Sequence, residues 1–178
     1  PPPPWQLTTT PTSAARPLTL PATASVRQGL MYDAERFFTA ALGEARTSGS
    51  ARALDGALHN LGTFHSQVGK ADAAASYYEQ SLEAARRRGD RHSQAVTLSN
   101  LGGLATLTGK SGAALQYLRE ASDAIEGLAD RQLEAIVLTE FGNAYNAMAD
   151  FAAAKASWTD ARAAASDAQD QGLIAVTT

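Results

Sequence analysis

Apolar and small residues follow a helical spacing in the middle of the chain. Leu58, Leu61, Gly62 and His65 stand at positions i, i+3, i+4 and i+7, which places them on one face of a helix. Gly69 then interrupts the pattern. A second stripe of similar spacing follows and passes through Ala74, Tyr78, Ser81, Leu82 and Ala85. The pattern predicts two helices that are joined by a tight turn and that each present one packing face.

The same pattern recurs every 40 residues. Asn100-Leu101-Gly102 has counterparts 40 positions away on both sides, at Asn60-Leu61-Gly62 and Glu140-Phe141-Gly142. The turn and second-helix columns repeat as well, as Gly69/Gly109/Ala149, Ala74/Ala114/Ala154, Tyr78/Leu118/Trp158 and Ser81/Ala121/Ala161. Internal repetition at such a period is typical of a solenoid.

The glycine at the centre of each first helix has a packing reason. Because Gly62 has no side chain, the paired second helix can approach it closely, and the bulky Tyr78 then closes the gap. Ser81 lies in a column of small residues, and we expect its hydroxyl to bond back to a carbonyl one turn earlier.

We therefore predict an all-α fold, a right-handed superhelical solenoid of antiparallel helix pairs. It has three full repeats, a degenerate N-terminal repeat and the start of another at the C-terminus. The predicted helices of the full repeats are 52–68 and 71–87, 92–108 and 111–127, and 131–148 and 151–168. The repeats themselves span about 18–50, 51–90, 91–130 and 131–170, with a partial one at 171–178.

The two ends of the chain depart from the full pattern. Residues 1–17 are rich in Pro and Thr and predict an extended linker or arm. In the degenerate repeat, Pro21 limits the first helix to about Ala22–Gln28, and the second helix runs from about Tyr32 to Thr47. The chain begins with Pro rather than Met, so we expect a processed protein or a piece of a larger one.

The columns resemble the tetratricopeptide repeat, whose pattern is large-x-x-Leu-Gly-x-x-aromatic followed by Ala-x-x-x-aromatic-x-x-Ala. His65 and Ala105 replace the usual aromatic residue, and Ser81 replaces the usual Ala. The 40-residue period resembles a longer-helix variety found in spindle-orientation and G-protein-modulator adaptors, kinesin light chains and bacterial regulators. The resemblance implies that the first helix of each pair lines a concave groove and that the protein binds other proteins there.

On this resemblance we predict that the exposed first-helix positions form a peptide-binding surface, whose members we call the groove residues. They are polar and include neither Lys nor Arg, so capture of a C-terminal carboxylate is not expected. An amide offers both a donor and an acceptor and can pair with an extended main chain; we single out Asn60, Asn100 and Asn143. The groove residues are His59, Asn60, Thr63, Ser66, Gln67, Ser99, Asn100, Gly103, Thr106, Thr139, Glu140, Asn143 and Asn146.

Composition and the remaining motifs argue against other functions. With a net charge of −3 and no cysteine, the chain gives no reason to expect nucleic acid, an anionic membrane, a disulfide or a thiolate metal site. Gly109-Lys110-Ser111 lacks the first glycine and the preceding strand of a phosphate-binding loop. His59 and His65 lie on different helix faces, and Arg86-Arg87-Arg88 is expected to be a solvated helix end. We predict a cytoplasmic protein without enzymatic activity, cofactor or metal.

Two alternatives to a free-standing peptide-binding scaffold remain open. The chain can be the sensor or regulatory arm of a larger bacterial regulator or effector, such as a transcription factor, an ATPase or a protease. It can also be a structural homo-oligomer that assembles through the uncapped end of the solenoid.

Overall fold

The computed structural model describes the backbone of residues 31–177 and the side chains of residues 32–169. The predicted arm at 1–17 and the short helix at Ala22–Gln28 lie outside these residues. Over the described part the chain is entirely α-helical and contains no strand. Its helices are α1 (Met31–Ser48), α2 (Ala51–Gln67), α3 (Ala71–Arg88), α4 (Arg91–Leu107), α5 (Ser111–Ile125), α6 (Arg131–Ala147) and α7 (Phe151–Thr177).

Consecutive helices pack against each other along the whole described chain, and the first helices α4 and α6 also contact each other directly. The all-α solenoid of helix pairs is thereby confirmed. Aspartates begin two of the first helices: the Oδ1 atom of Asp90 accepts from Ser93 N at 3.0 Å, and that of Asp130 accepts from Leu133 N at 2.9 Å. Such caps satisfy backbone donors that have no partner within the helix.

The close approach within each helix pair is confirmed. A Cβ atom on Gly62 would lie 2.5 Å from the Tyr78 ring, and one on Gly102 would lie 2.7 Å from Leu118. A Cβ atom on Gly142 would overlap the Trp158 ring in the same way. The repeated glycine and the repeated large residue therefore form one contact, copied in each unit.

One predicted boundary is wrong at the C-terminal end. We expected a helix to end near 168 and a new first helix to open at Gln171, but α7 is a single helix of 27 residues that runs to Thr177. In the two preceding units, the chain leaves the helical conformation at this column through a left-handed residue. These residues are Gly89 at φ 67° and Ala129 at φ 53°. The third unit has Gln169 in this column, and α7 continues through it without a break.

The hydroxyl of Ser81 also has a different partner from the one expected. It donates to the Oδ1 atom of Asp55 on α2 at 2.6 Å rather than to a carbonyl of its own helix. The carboxylate is a stronger acceptor than a carbonyl that already accepts a helical bond, so the Ser81 hydroxyl joins α3 to α2.

Candidate functional site

The groove residues of neighbouring first helices meet across the helix boundaries. His59 on α2 lies 3.4 Å from both Thr97 Oγ1 and Asn100 Nδ2 on α4, one contact for each ring nitrogen. A Cβ atom on Gly103 of α4 would lie 3.1 Å from Glu140 Oε2 of α6. Helices α2, α4 and α6 therefore form one continuous surface that carries most of the groove residues.

The groove residues differ in exposure. Most are half-buried: His59, Asn60, Thr63, Ser66, Asn100, Gly103, Thr106, Glu140 and Asn143. Gln67, Thr139 and Asn146 are exposed. Partial burial on one side leaves a polar surface whose groups are held in place by their neighbours.

Ser99 does not lie on this surface. We predicted it to be exposed, but it is 2% exposed and its Oγ atom has no hydrogen-bond partner among the described residues. Ser99 lies on α4, which packs against α3, α5 and α6, and its short side chain is enclosed within the fold. Ser99 is therefore removed from the groove residues.

The hydroxyl groups of the groove are largely engaged within the fold. Thr63 accepts a hydrogen bond from Tyr78 at 3.1 Å. Thr106 donates to Gly102 O at 3.0 Å, and Thr139 donates to Ala135 O at 2.7 Å, each within its own helix. These hydroxyls are therefore poorly placed to be the main contacts of a ligand.

The groove amides are far less engaged. Within the described part of the chain, the Asn60 amide makes no hydrogen bond. Asn100 has its long contact with His59, and Asn143 Nδ2 lies 3.4 Å from Glu140 Oε2. Distances of 3.4 Å exceed the usual range for an N–H donor, so these amides keep most of their hydrogen-bonding capacity.

A network beneath this surface was missed from the sequence, and we call it the polar junction: Asp55, His59, Ser81, Arg88 and Thr97. Arg88 donates from Nη2 to Asp55 Oδ2 at 2.8 Å and to Asp90 Oδ2 at 2.7 Å. Ser81 Oγ contacts both Asp55, at 2.6 Å, and Thr97 Oγ1, at 3.4 Å. Asp55 was the available signal, because Ala95 and Ala135 occupy its column in the other units.

Arg88 therefore corrects the expectation that Arg86-Arg87-Arg88 is a solvated helix end. Arg86 and Arg87 are exposed, but the Arg88 side chain is only 18% exposed and its partner Asp55 only 8%. Arg88 also donates to the carbonyl of Ala51 at the start of α2 at 2.9 Å. Its guanidinium thus ties the end of α3 to the start of α2.

Burial sets the electrostatics around His59. Burial lowers the pKa of His59 from its ordinary 6.5, and the charge of Asp55 opposes this shift. Burial likewise raises the pKa of Tyr78, which the hydrogen bond to Thr63 partly offsets. Asp90 has a pKa of about 2, chiefly because it accepts from Ser93 N and from Arg88.

The described residues contain neither a candidate metal site nor a candidate membrane span. No group of three or more His, Cys, Asp or Glu side chains in this part of the chain is close enough to hold a metal ion. Across the same residues, none of the helices combines the length and apolar character needed to cross a membrane.

This architecture is similar to that of known proteins. Residues 54–127 match the family model described as tetratricopeptide repeat. No curated protein gives a match. The crystal structure of BtubC (BKLC) from P. vanneervenii is similar with a TM-score of 0.72 at 23% sequence identity, over 84% of this chain and 62% of that one.

At this identity the likeness to BtubC shows the fold alone, and the chain spans less than two thirds of the length of BtubC. The family match covers the first two full units, including the polar junction and the groove amides of α2 and α4. The helix pairs and the repeated glycine contacts of residues 54–127 agree with this match to the tetratricopeptide repeat model.

Proposed function

We propose that the chain is a scaffold that binds an extended peptide segment of a partner protein along α2, α4 and α6, through Asn60, Asn100 and Asn143. Tetratricopeptide repeats generally mediate protein–protein interactions and are typically not catalytic. The finer proposal concerns where and how this chain does so.

The weak engagement of the groove amides is the observation that carries the proposal. The Thr106 and Thr139 hydroxyls donate to carbonyls of their own helices, whereas the three amides keep free donor and acceptor capacity on neighbouring helices. An extended peptide offers alternating N–H and C=O groups, which an amide can pair with in either sense. A row of such amides suits main-chain recognition better than recognition of one particular side chain.

The charge of the groove residues adds a preference along the peptide. They include one acidic residue, Glu140, and no Lys or Arg. Glu140 is half-buried and lies beside Gly103 and Asn143. We therefore expect a basic or hydroxyl-bearing peptide residue near α6.

A contact over three repeats of this kind implies micromolar to submicromolar affinity, about −8 kcal/mol. Each amide lost should weaken binding by about 1 kcal/mol, since that is the usual net contribution of a hydrogen bond in water. The triple change of Asn60, Asn100 and Asn143 to Ala should therefore reduce affinity by about a hundredfold or more.

The test begins with selection of binding peptides from a displayed random library on the folded chain. The affinity of a selected peptide is then measured by fluorescence anisotropy on the parent and on the triple Asn→Ala variant. A matched control changes Gln80, Gln116 and Gln169 to Ala, because these exposed amides lie on the second helices α3, α5 and α7.

We expect the groove variant to lose affinity for the peptide and the control to keep parental affinity. Both variants should remain helical by circular dichroism. Equal affinity in all three proteins would move the site away from the groove amides. The regulator-arm and homo-oligomer alternatives, the bacterial origin and the cytoplasmic location remain predictions from the sequence. Light scattering of the chain alone separates self-assembly from the other two readings.

A further inference from the structure

The polar junction places hydrogen-bonding atoms in series from an ion pair to the groove, through two short hydrogen bonds and three longer contacts. It starts where Arg88 donates to Asp55 at 2.8 Å and continues from Asp55 to Ser81 Oγ at 2.6 Å. Ser81 Oγ lies 3.4 Å from Thr97 Oγ1, and Thr97 Oγ1 lies 3.4 Å from His59 Nδ1. The last step joins His59 Nε2 to Asn100 Nδ2 at 3.4 Å.

Three of these contacts are long, at 3.4 Å; when all of them are made as hydrogen bonds, their directions follow from the first member. A carboxylate only accepts, so the single hydroxyl proton of Ser81 points to Asp55. Ser81 must then accept from Thr97, which uses the single hydroxyl proton of Thr97. Thr97 must in turn accept from His59, which requires a proton on Nδ1. A neutral imidazole with its proton on Nδ1 has a lone pair on Nε2, and that lone pair accepts from the Asn100 amide.

The opposite tautomer breaks this chain. If Nδ1 carried no proton, Thr97 would donate to His59, and Ser81 and Thr97 would face each other with lone pairs only. Both hydroxyls are buried, at 0% exposure for Ser81 and 1% for Thr97, so water could not relieve the mismatch.

We propose that His59 is a neutral imidazole with its proton on Nδ1, and that it orients Asn100 so that Oδ1 faces the groove as the acceptor for a main-chain N–H of the bound peptide. Asn100 Oδ1 has no hydrogen-bond partner among the described residues, which leaves it available. The tautomer rests on the polar junction alone, whereas the role of the peptide rests on the proposed function. His59 is thus a positioning residue of the groove.

Protonation of His59 at low pH should reverse the orientation of the Asn100 amide. When His59 gains a second proton, Nε2 becomes a donor, and Asn100 must turn Oδ1 towards it and present its NH₂ group to the groove. The ionisable groups around His59 within the described chain are Asp55 on α2, Tyr78 on α3 at 5.7 Å between ring centroids, and Arg88, which neutralises Asp55. Helix α4 contributes the uncharged Thr97 and Asn100.

Since burial lowers the pKa of His59, the imidazole is neutral at pH 7 and the inversion takes place below pH 6.5. A peptide that donates an N–H to Asn100 should then lose about threefold to tenfold in affinity, the worth of one ordinary hydrogen bond.

The tautomer is tested directly by long-range ¹H–¹⁵N correlation spectra of the histidine rings, without any peptide. The chain has three histidines, and the His59→Gln variant identifies the signals of His59 by their loss. We expect a protonated Nδ1 and an unprotonated Nε2 at pH 7. A protonated Nε2, or the averaged shifts of a free imidazole, would overturn the proposal.

Ser81→Ala is the matched control for the relay, and the fold accepts it because Ala121 and Ala161 occupy this column in the other units. Thr97 is then free to donate to His59, so the Nδ1–H tautomer should lose its preference. An unchanged tautomer in this variant would contradict the relay.

The groove half of the proposal is tested with a peptide selected as described above, by its Kd at pH 7.5 and pH 5.5. The parent should bind more weakly at the lower pH, and His59→Gln should bind equally at both. The same loss in both proteins would refute the orienting role. Failure of the parent to bind any selected peptide would refute the proposed function and leave the tautomer result standing.

Discussion

The two junctions between the three full repeats are held together by different chemistry at the same positions. The polar junction joins the first and second full repeats through Asp55, Ser81, Arg88, Thr97 and His59. The junction between the second and third repeats has Ala95, Ala121, Leu128, Val137 and Ser99 in these columns, and we call it the apolar junction. Helix pairs nevertheless stack at both.

Because helix pairs stack at both junctions, the solenoid geometry does not require the polar network. Buried ion pairs contribute little net stability compared with well-packed apolar residues, because both charges lose hydration. The polar junction also contacts the groove, because His59 lies 3.4 Å from Asn100. In the apolar junction Ser99 occupies the column of His59, and its hydroxyl makes no hydrogen bond among the described residues. The difference is therefore expected to matter more for binding than for the fold.

The largest effect on stability is expected from a substitution at the centre of the polar junction. Asp55→Ala leaves Arg88 and Ser81 without their carboxylate, and we expect the free energy of unfolding to fall by about 2–3 kcal/mol. Replacing Asp55, Ser81, Arg88 and Thr97 together by their apolar counterparts Ala, Ala, Leu and Val should change it by less than about 1 kcal/mol. Urea unfolding followed by circular dichroism measures both. A fourfold variant less stable than Asp55→Ala would show that the network itself stabilises the junction.

A smaller effect of opposite sign is expected at the apolar junction. Ser99→Ala removes a buried hydroxyl without a partner and should raise the free energy of unfolding by about 1 kcal/mol. Ser81→Ala, which removes a hydroxyl bonded to Asp55 at 2.6 Å, should lower it by a similar amount. Equal effects of the two changes would mean that Ser99 has a partner after all.

The turns at the two junctions provide a third contrast. Gly89 ends α3 with φ at 67°, and Ala129 adopts φ 53° in the same column. Because a Cβ atom makes this conformation unfavourable, Ala129→Gly should stabilise the chain by about 0.5–1 kcal/mol, and Gly89→Ala should destabilise it by about as much. Thermal unfolding of the pair of variants checks the signs, and a loss of stability in Ala129→Gly would contradict the expected strain.

The smallest expected contrast depends on pH. The folded-state pKa of His59 lies below that of the unfolded chain, so the unfolded state binds more protons as the pH falls through and below 6.5. Stability from this group is therefore complete above pH 6.5 and is lost as the pH falls. The His59→Ser variant copies Ser99. Its free energy of unfolding should fall less between pH 7 and pH 5 than that of the parent. His65, whose pKa burial also lowers, should keep part of the acid sensitivity in both proteins.

The features that repeat could be predicted from the sequence, because a recurring column implies recurring geometry. The glycine contacts of Gly62, Gly102 and Gly142 and the positions of the helix pairs follow from the 40-residue period. Those expectations needed only local spacing and side-chain size. The 40-residue subtype of the family remains a prediction.

The features that differ between repeats could not be predicted from the sequence. The polar junction depends on side chains from α2, α3 and α4 that converge only in the folded chain, and Arg88 had an equally good local explanation as a helix end. Ser99 lies on α4, a helix that packs against α3, α5 and α6, and its burial follows only from the folded chain. The continuation of α7 to Thr177 falls in a column that holds a left-handed residue in the two preceding units, so the repeat pattern predicted a break there.

The central claim is that Asn60, Asn100 and Asn143 contact a bound peptide. The most direct measurement follows the side-chain amide signals of the ¹⁵N-labelled chain by NMR while a selected peptide is added. The account predicts that the NH₂ signals of these three residues shift with the same Kd as anisotropy gives, and that those of Gln80 and Gln116 stay in place. Shifts confined to residues of the second helices, with all three groove amides unchanged, would contradict it.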